Sequence, residues 1–243
     1  AGGISTIADS LGINQIPFSP ETIENTEFGL RGDFLDGTLR VNATYFMTDW
    51  IDIQAGFSTI DRGTGDPITE VFTANASDGE ASGVELELTY FVNDRLQLGA
   101  NLGFLDTKYV NLKPTAQLTE NTEFGGAPDE TYAVYADYNW NVFEGDLSAR
   151  LSGNYFGNFW RSSLPNFRQD ASGGFSSPAG DIWRWNARAV YQPNDADWVL
   201  TAFVNNITEE TFLNSGFMDS IWQFDFSGVD APREWGLGLE MRF

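Results

Sequence analysis

The side chains able to do chemistry in this chain are carboxylates, arginines and aromatic rings. Among its 243 residues there is no histidine and no cysteine. Nucleophilic sets of the Ser-His-Asp or Cys-His kind are therefore impossible, as are zinc, iron or copper sites ligated by imidazole or thiolate. A carboxylate pair could in principle cleave a glycosidic bond, but no motif singles one out, and no catalytic residue and no cofactor is assigned. Residues 61–66 read Asp-Arg-Gly-Thr-Gly-Asp; they lack the ligand spacing and terminal glutamate of a calcium loop, so no metal is assigned either. What is left is binding. Aromatic residues make up 15% of the chain, and rings with amides nearby suit sugars or flat aromatic ligands. The candidate ligand contacts are Trp160, Arg161, Phe167, Arg168, Phe175, Trp222 and Phe224, the two arginines being able to clamp a carboxylate or phosphate or to pair with local acids. Thirty-five acidic residues against 13 basic ones give a net charge of -22. A nucleic-acid partner, which needs a basic stripe, is excluded.

The elements that position these residues are strands. Apolar residues alternate with polar ones over 39–47, 84–92, 96–104, 132–140, 147–159, 183–191, 198–204 and 235–243, and more weakly over 27–35. The eight stronger apolar faces hold 41 positions without a charge, while 9 of the 33 interleaved positions are charged. Arg40, Glu85, Glu87, Asp137, Arg150, Arg184 and Arg188 fall on those interleaved faces. The segment 220–226 also alternates, as a hairpin arm or as a strand extension, whereas the first twenty residues read as loop.

Alternation alone fits a half-buried sheet over a soluble core as well as a membrane barrel. Three features favour the barrel. Short turns at Asp36-Gly37, Asn93-Asp94, Glu144-Gly145 and 193–195 take turns with long connections at about 55–68, 110–128, 161–180 and 208–232. Aromatics gather at both ends of the apolar faces: Tyr90, Trp140, Tyr191 and Trp198 near short turns, Phe104, Tyr132, Phe159 and Trp183 near long loops, as two interfacial girdles require. Nine strands with four short turns also bring Phe243 to the short-turn side and residues 1–26 to the long-loop side. The expected fold is therefore all-β, an antiparallel transmembrane β-barrel. The interleaved charges would form a solvated network facing its lumen.

Four segments resemble, in order, the C-terminal half of TonB-dependent outer-membrane receptors. Residues 81–109 (ASGVELELTYFVNDRLQLGANLGFLDTKY) resemble a strand pair of that family, and 127–140 (APDETYAVYADYNW) its next descending strand. Residues 185–212 (WNARAVYQPNDADWVLTAFVNNITEETF) resemble its penultimate hairpin with an Asn-rich exit, and 231–243 (APREWGLGLEMRF) its closing strand. The terminal Phe243 resembles the assembly signal read by the barrel-assembly machinery. The resemblance covers roughly residues 21–243 and implies that the whole chain is the C-terminal portion, about nine strands, of a 22-stranded barrel, with residues 1–26 an extracellular loop. A plug domain and TonB box are not present in these residues.

The function so implied is TonB-energised uptake of a scarce nutrient across the bacterial outer membrane: a ferric siderophore, haem, a vitamin or an oligosaccharide. The implied partners are outer-membrane lipid, the assembly machinery, the TonB complex through an N-terminal segment, and the small-molecule or oligosaccharide ligand. The four long connections carry 10 acidic and 4 basic residues, a field that does not steer anionic chelates inward. The competing reading is a complete small outer-membrane barrel with a structural, adhesive or passive-pore role. Either membrane reading predicts that the protein stays with the membrane fraction at high salt and leaves it only in detergent. Recovery in the aqueous fraction without detergent would leave a soluble β protein instead.

Overall fold

A computed structural model describes residues 2–9, 12–57, 72–113, 118, 120, 122–160, 180–211, 213–219 and 224–241. No helix among them is long and apolar enough to cross a membrane. The strands are β1 (Gly3–Asp9), β2 (Gly12–Phe18), β3 (Thr22–Phe34), β4 (Leu39–Phe57), β5 (Phe72–Phe91), β6 (Leu96–Val110), β7 (Glu130–Val142), β8 (Gly145–Phe156), β9 (Ile182–Pro193), β10 (Trp198–Asn205), β11 (Leu213–Asp219), β12 (Phe224–Val229) and β13 (Glu234–Met241). Nine of them form one antiparallel sheet in chain order, β3 to β10 and then β13. These are the nine strands that the alternation predicts.

The turns follow from local chemistry. Phe143 and Glu144 both adopt positive φ, 51° and 56°, the two-residue geometry whose twist matches a right-handed hairpin. In the turn before β4, Leu35, Asp36 and Gly37 all lie at positive φ, and the Thr38 hydroxyl donates to the Leu35 carbonyl at 2.7 Å. Asn93 caps its own turn by accepting from the amides of Arg95 and Leu96 at 2.9 and 3.0 Å.

The sheet has one layer and almost no core. Among the described residues the buried apolar side chains are Ile53, Ala74 and Ala76. Leu30, Trp235 and Leu237 are 66%, 73% and 73% exposed. The chain presents 15673 Å² of accessible surface, against roughly 11,000 Å² for a soluble globular chain of this mass. A face this apolar with nothing packed on it is stable only against hydrocarbon.

Register keeps the two faces apart. On the apolar face, Ala43 faces Leu86, Leu86 faces Leu102, and Leu102 faces Tyr132. On the other, Asn42 faces Glu87 and Glu87 faces Asn101. Several glycines directly oppose aromatic residues, among them Gly83 with Phe46, Gly99 with Tyr135, Gly153 with Trp185 and Gly236 with Phe203. In each pair the ring lies over the glycine. A Cβ on Gly99 would sit 2.2 Å from Tyr135 ring carbons, and one on Gly236 2.7 Å from the Phe203 ring. The missing side chain is thus the space that the ring fills, which covers backbone and pins register together.

One feature differs from the sequence reading. The first twenty residues are not plain loop: β1 and β2 pair as a hairpin, and β3 begins already at Thr22. Of segment 220–226, the described residues 224–226 lie in β12, which pairs with β11 as a separate two-stranded hairpin, the first of the two readings that the alternation left open. β8 ends at Phe156, the Gly157 amide donates to the Glu130 carbonyl at 2.7 Å, and Tyr155 joins the upper girdle. Tyr155 stacks on Tyr132 (5.1 Å between centroids) and meets Trp183 (5.3 Å), while Phe104 contacts Tyr132 edge-on (5.8 Å). Across the apolar band, Tyr138 with Trp140 (4.1 Å) and Tyr191 with Trp198 (5.7 Å) form the lower girdle.

Two substitutions on β10 test the assignment of faces. Ala202→Arg, midway between the girdles on the apolar face, is expected to lower stability in lipid vesicles by about 2–4 kcal/mol. Thr201→Arg, one residue away on the polar face, is expected to shift it far less. Urea unfolding of the vesicle-inserted protein reads both, and equal losses would overturn the assignment. Gly99→Val is expected to displace the Tyr135 ring and cost about 1–3 kcal/mol by overpacking, seen as a lower unfolding midpoint.

Candidate functional site

The polar face is organised as rows, because residues in register stand side by side across strands. One row runs Gln97, Asp137, Arg150, Arg188, Phe203 and Gly236 over β6 to β10 and β13. Arg150 forks onto Asp137, with Nε to Oδ1 at 2.8 Å and Nη2 to Oδ2 at 2.9 Å. Its guanidinium also lies over the Tyr135 ring, 4.5 Å from the centroid. The Tyr135 hydroxyl in turn accepts from Gln97 Nε2 at 3.0 Å. Planar, bidentate and stacked contacts are what arginine provides and lysine does not.

Further along, Arg40 Nε donates to Asp33 Oδ1 at 2.8 Å. Asn42 Nδ2 donates to Glu87 Oε2 at 2.9 Å. Arg184 pairs with Asp230, just before β13. The seven charged residues that the alternation places on one face therefore share that face. Two open grooves lie along it. The larger, about 720 Å³, is lined by Arg150, Asn186, Arg188, Thr201, Asn205 and Glu240 among others. The smaller, about 330 Å³, includes Glu85, Glu87, Asn101 and Asn154. No group of three or more acidic side chains placed to hold a metal ion occurs among the described residues.

Beyond the upper girdle, β4 and β5 continue as a two-stranded pillar. β4 is bulged between Trp50 and Gln54, with Asp52 at φ 58°. The bulge is tied down by polar contacts: the Asp52 amide donates to Asp78 Oδ1 at 2.8 Å, Asn75 Nδ2 donates to the Asp52 carbonyl at 2.7 Å, and Lys113 pairs with Asp52. Asn75 also binds the backbone of Ser19, accepting from its amide at 2.6 Å and donating to its carbonyl at 3.0 Å. The β1–β2 hairpin is thereby anchored against β5. Phe124 folds over Gly79, meeting Trp50 edge-on at 6.1 Å and Tyr109 at 4.7 Å. On the same upper part, Glu80 holds Lys108 at 2.7 Å and pushes its ammonium pKa above the ordinary lysine value.

Of the sequence-derived ligand contacts, Trp160 is placed. It is half-buried, its carbonyl accepts from the Gly126 amide at 2.7 Å, and with Phe159, Asp106, Glu123 and Asp129 it lines a pocket of about 390 Å³. Arg161, Phe167, Arg168, Phe175, Trp222 and Phe243 lie outside the described residues, as does the 61–66 segment. Phe224 opens β12, and the description there does not extend to its side chain. Sequence reasoning passed over Asn206. It is 2% exposed, accepts from the Glu210 amide at 2.9 Å and donates to the Glu210 and Ala231 carbonyls at 2.8 and 3.3 Å. Its own amide donates to Asn186 Oδ1 at 2.9 Å. The pair of asparagines in the exit from β10 was the available signal.

A single-layer antiparallel sheet with an unpartnered apolar face, two aromatic girdles, a charged opposite face and alternating short and long connections defines wall of an outer-membrane β-barrel. The chain belongs to the family described as "TonB dependent receptor-like, beta-barrel", whose profile matches residues 3–207. Among curated relatives it is 25% identical over 197 residues to the ferric-pyoverdine M114 receptor PbuA of Pseudomonas sp. (strain M114); the match takes in 79% of this chain and 21% of that protein. Among solved structures it is similar to the ferric yersiniabactin uptake receptor FyuA of Yersinia pestis, with a TM-score of 0.72, 18% identity, and coverage of 100% of this chain and 34% of that one. It is also similar to the ferric-catecholate import receptor Fiu of E. coli K12, with a TM-score of 0.65, 18% identity, and coverage of 93% and 28%. The chain thus spans about a fifth to a third of the length of these proteins. Proteins of this family are transporters of the Gram-negative outer membrane and not enzymes.

Removing the Asn206 side chain leaves the Glu210 amide and two carbonyls without their partner. Asn206→Ala is expected to cost about 1–3 kcal/mol and to speed proteolytic cutting between 206 and 233. An unchanged cutting rate would show that the exit is held by other contacts.

Proposed function

We propose that this chain is the C-terminal wall of a TonB-energised receptor that imports a ferric siderophore. The observation that carries the reading is the two-faced wall itself: an apolar exterior for lipid and an interior lined by arginine, carboxylate and amide rows, as a hydrated passage needs. The cargo class comes from the relatives, a ferric-pyoverdine receptor in sequence and ferric-siderophore receptors in structure. Haem, vitamins and oligosaccharides stay as competitors for the same passage.

Arg40, Glu85, Glu87, Asp137, Arg150, Arg184 and Arg188 line the lumen on this reading. The pillar and the long connections capture the ligand, with Trp160 at the rim and Arg161, Phe167, Arg168, Phe175, Trp222 and Phe224 as further contacts. β3 and β13 stand at opposite ends of the sheet, and among the described residues each presents an unpaired edge that hydrocarbon penalises. That arrangement favours a larger barrel over a complete small one, since nine strands in this order close only by bringing those two edges together. Further strands, a plug and a TonB-contacting segment then belong to the rest of the protein, and Phe243 serves barrel assembly.

The test is uptake of radiolabelled ligand (labelled iron in the chelates and haem, labelled cobalt in cobalamin, labelled carbon in maltodextrin) by iron-starved cells with and without the gene for the full-length protein. Ferric trihydroxamate, ferric tris-catecholate, haem, cobalamin and maltodextrin are offered separately. Loss of uptake of at least one ferric chelate, by tenfold or more, with equal loss on adding a protonophore to wild-type cells, is the expected outcome. Loss confined to haem, cobalamin or maltodextrin would overturn the cargo class.

A further inference from the structure

The row Asp137, Arg150, Arg188 sets one carboxylate against two guanidinium groups in direct register. Like charges facing each other across strands destabilise a sheet unless something neutralises them. Asp137 is engaged by Arg150 through both oxygens, so it balances one arginine only. Of the other arginines that the register places on this face, Arg40 has Asp33 and Arg184 has Asp230, whereas Arg31, opposite Asn42 on the edge strand β3, has no carboxylate at ion-pair distance among the described residues and no second arginine beside it in register. Among the described residues Arg188 has no carboxylate either. It lines the groove of about 720 Å³ together with Arg150 and the amides of Asn186 and Asn205. Phe203, next to Arg188 in the row, leans away over Gly236 on β13, which leaves the groove beside Arg188 open. Arg150 uses Nε and one hydrogen of Nη2 on Asp137; its remaining N–H groups are available to a second acceptor.

We propose that Arg150 and Arg188 together form a carboxylate-binding site on the inner wall of the barrel. One carboxylate lying between them balances the single excess charge of the row. It accepts a fork of hydrogen bonds from Arg188 and further hydrogen bonds from the free side of Arg150, with Asn186 and Asn205 as flanking donors. Glu240 lines the same groove, but it pairs in register with Val199, whereas Arg188 pairs with Phe203. Four residues of β10 separate those two levels, which is about 13 Å. The carboxylate has two sources with the same chemistry: an Asp or Glu side chain of the polypeptide elsewhere in the full-length protein, or a small organic acid passing through the lumen.

The experiment is residue-resolved modification of arginine by phenylglyoxal, read by mass spectrometry on the purified full-length protein in detergent. It is run in chloride and in citrate at equal ionic strength, beside unfolding of the Arg188→Gln variant. Arg188 reacting several-fold more slowly than fully exposed arginines in chloride, with an unfolding midpoint lowered by several degrees in Arg188→Gln, assigns the carboxylate to the polypeptide. Protection that develops only in citrate assigns it to a small acid. Either result supports the site. Fast modification of Arg188 in both salts overturns it, and so does protection in chloride without loss of stability in Arg188→Gln, because steric cover alone then explains the protection. None of these readouts depends on which cargo the receptor carries.

Discussion

The rest of the structure depends on the pairing of backbone in hydrocarbon. No water is available there to an unpaired N–H or C=O, so every strand must be hydrogen-bonded along its length to its neighbours. Pairing fixes register, and register fixes the face of every residue, since a slip by one would turn each apolar row toward the lumen. The sheet has little else to hold it: its buried apolar side chains among the described residues are three, and all lie in the pillar outside the lipid band. Glycine–aromatic pairs such as Gly99–Tyr135 and Gly236–Phe203 act where a core would otherwise act. They interlock adjacent strands at one register and no other.

The same constraint made much of the fold legible in the sequence. Period two, the four short turns and the aromatic ends gave the nine strands and their order. What escaped the reading had a physical reason in each case. β4 runs on to Phe57 past a bulge at Asp52, and a bulge interrupts the alternation that defines a strand. The outer half of β5, FTANASDGEASG, holds mostly small and polar residues that pair with β4 and reach the Ser19 backbone through Asn75, so no apolar period marks it.

The candidate site was legible to a different depth. A residue's face follows from its parity alone, so the charged residues of the polar face could be collected from sequence. Which of them touch could not, since that needs the register offset between strands: Arg40 meets Asp33 across one hairpin, while Arg184 meets Asp230 forty-six positions away. The opposition of Arg150 and Arg188 is a fact of register in the same way. Asn206 was hidden for another reason. An asparagine in a polar loop looks solvated until the backbone that it binds has been located.

The pillar formed by β4 and β5 has a consequence for where recognition happens. From Tyr45, level with Phe104 of the upper girdle through Val84, to Phe57 there are twelve residues of strand, about 40 Å of chain, or roughly 30 Å above the lipid at the tilt usual in such barrels. With its bulge tied down through Asp52, Asn75, Asp78 and Lys113, this projection behaves as a mast and not as a tether. On the proposed function, a solute would meet the tip of the mast well before it met the passage. First encounter and transit would then be separate events on separate surfaces, and natural variation could retune which solutes are met while leaving the conduit unaltered.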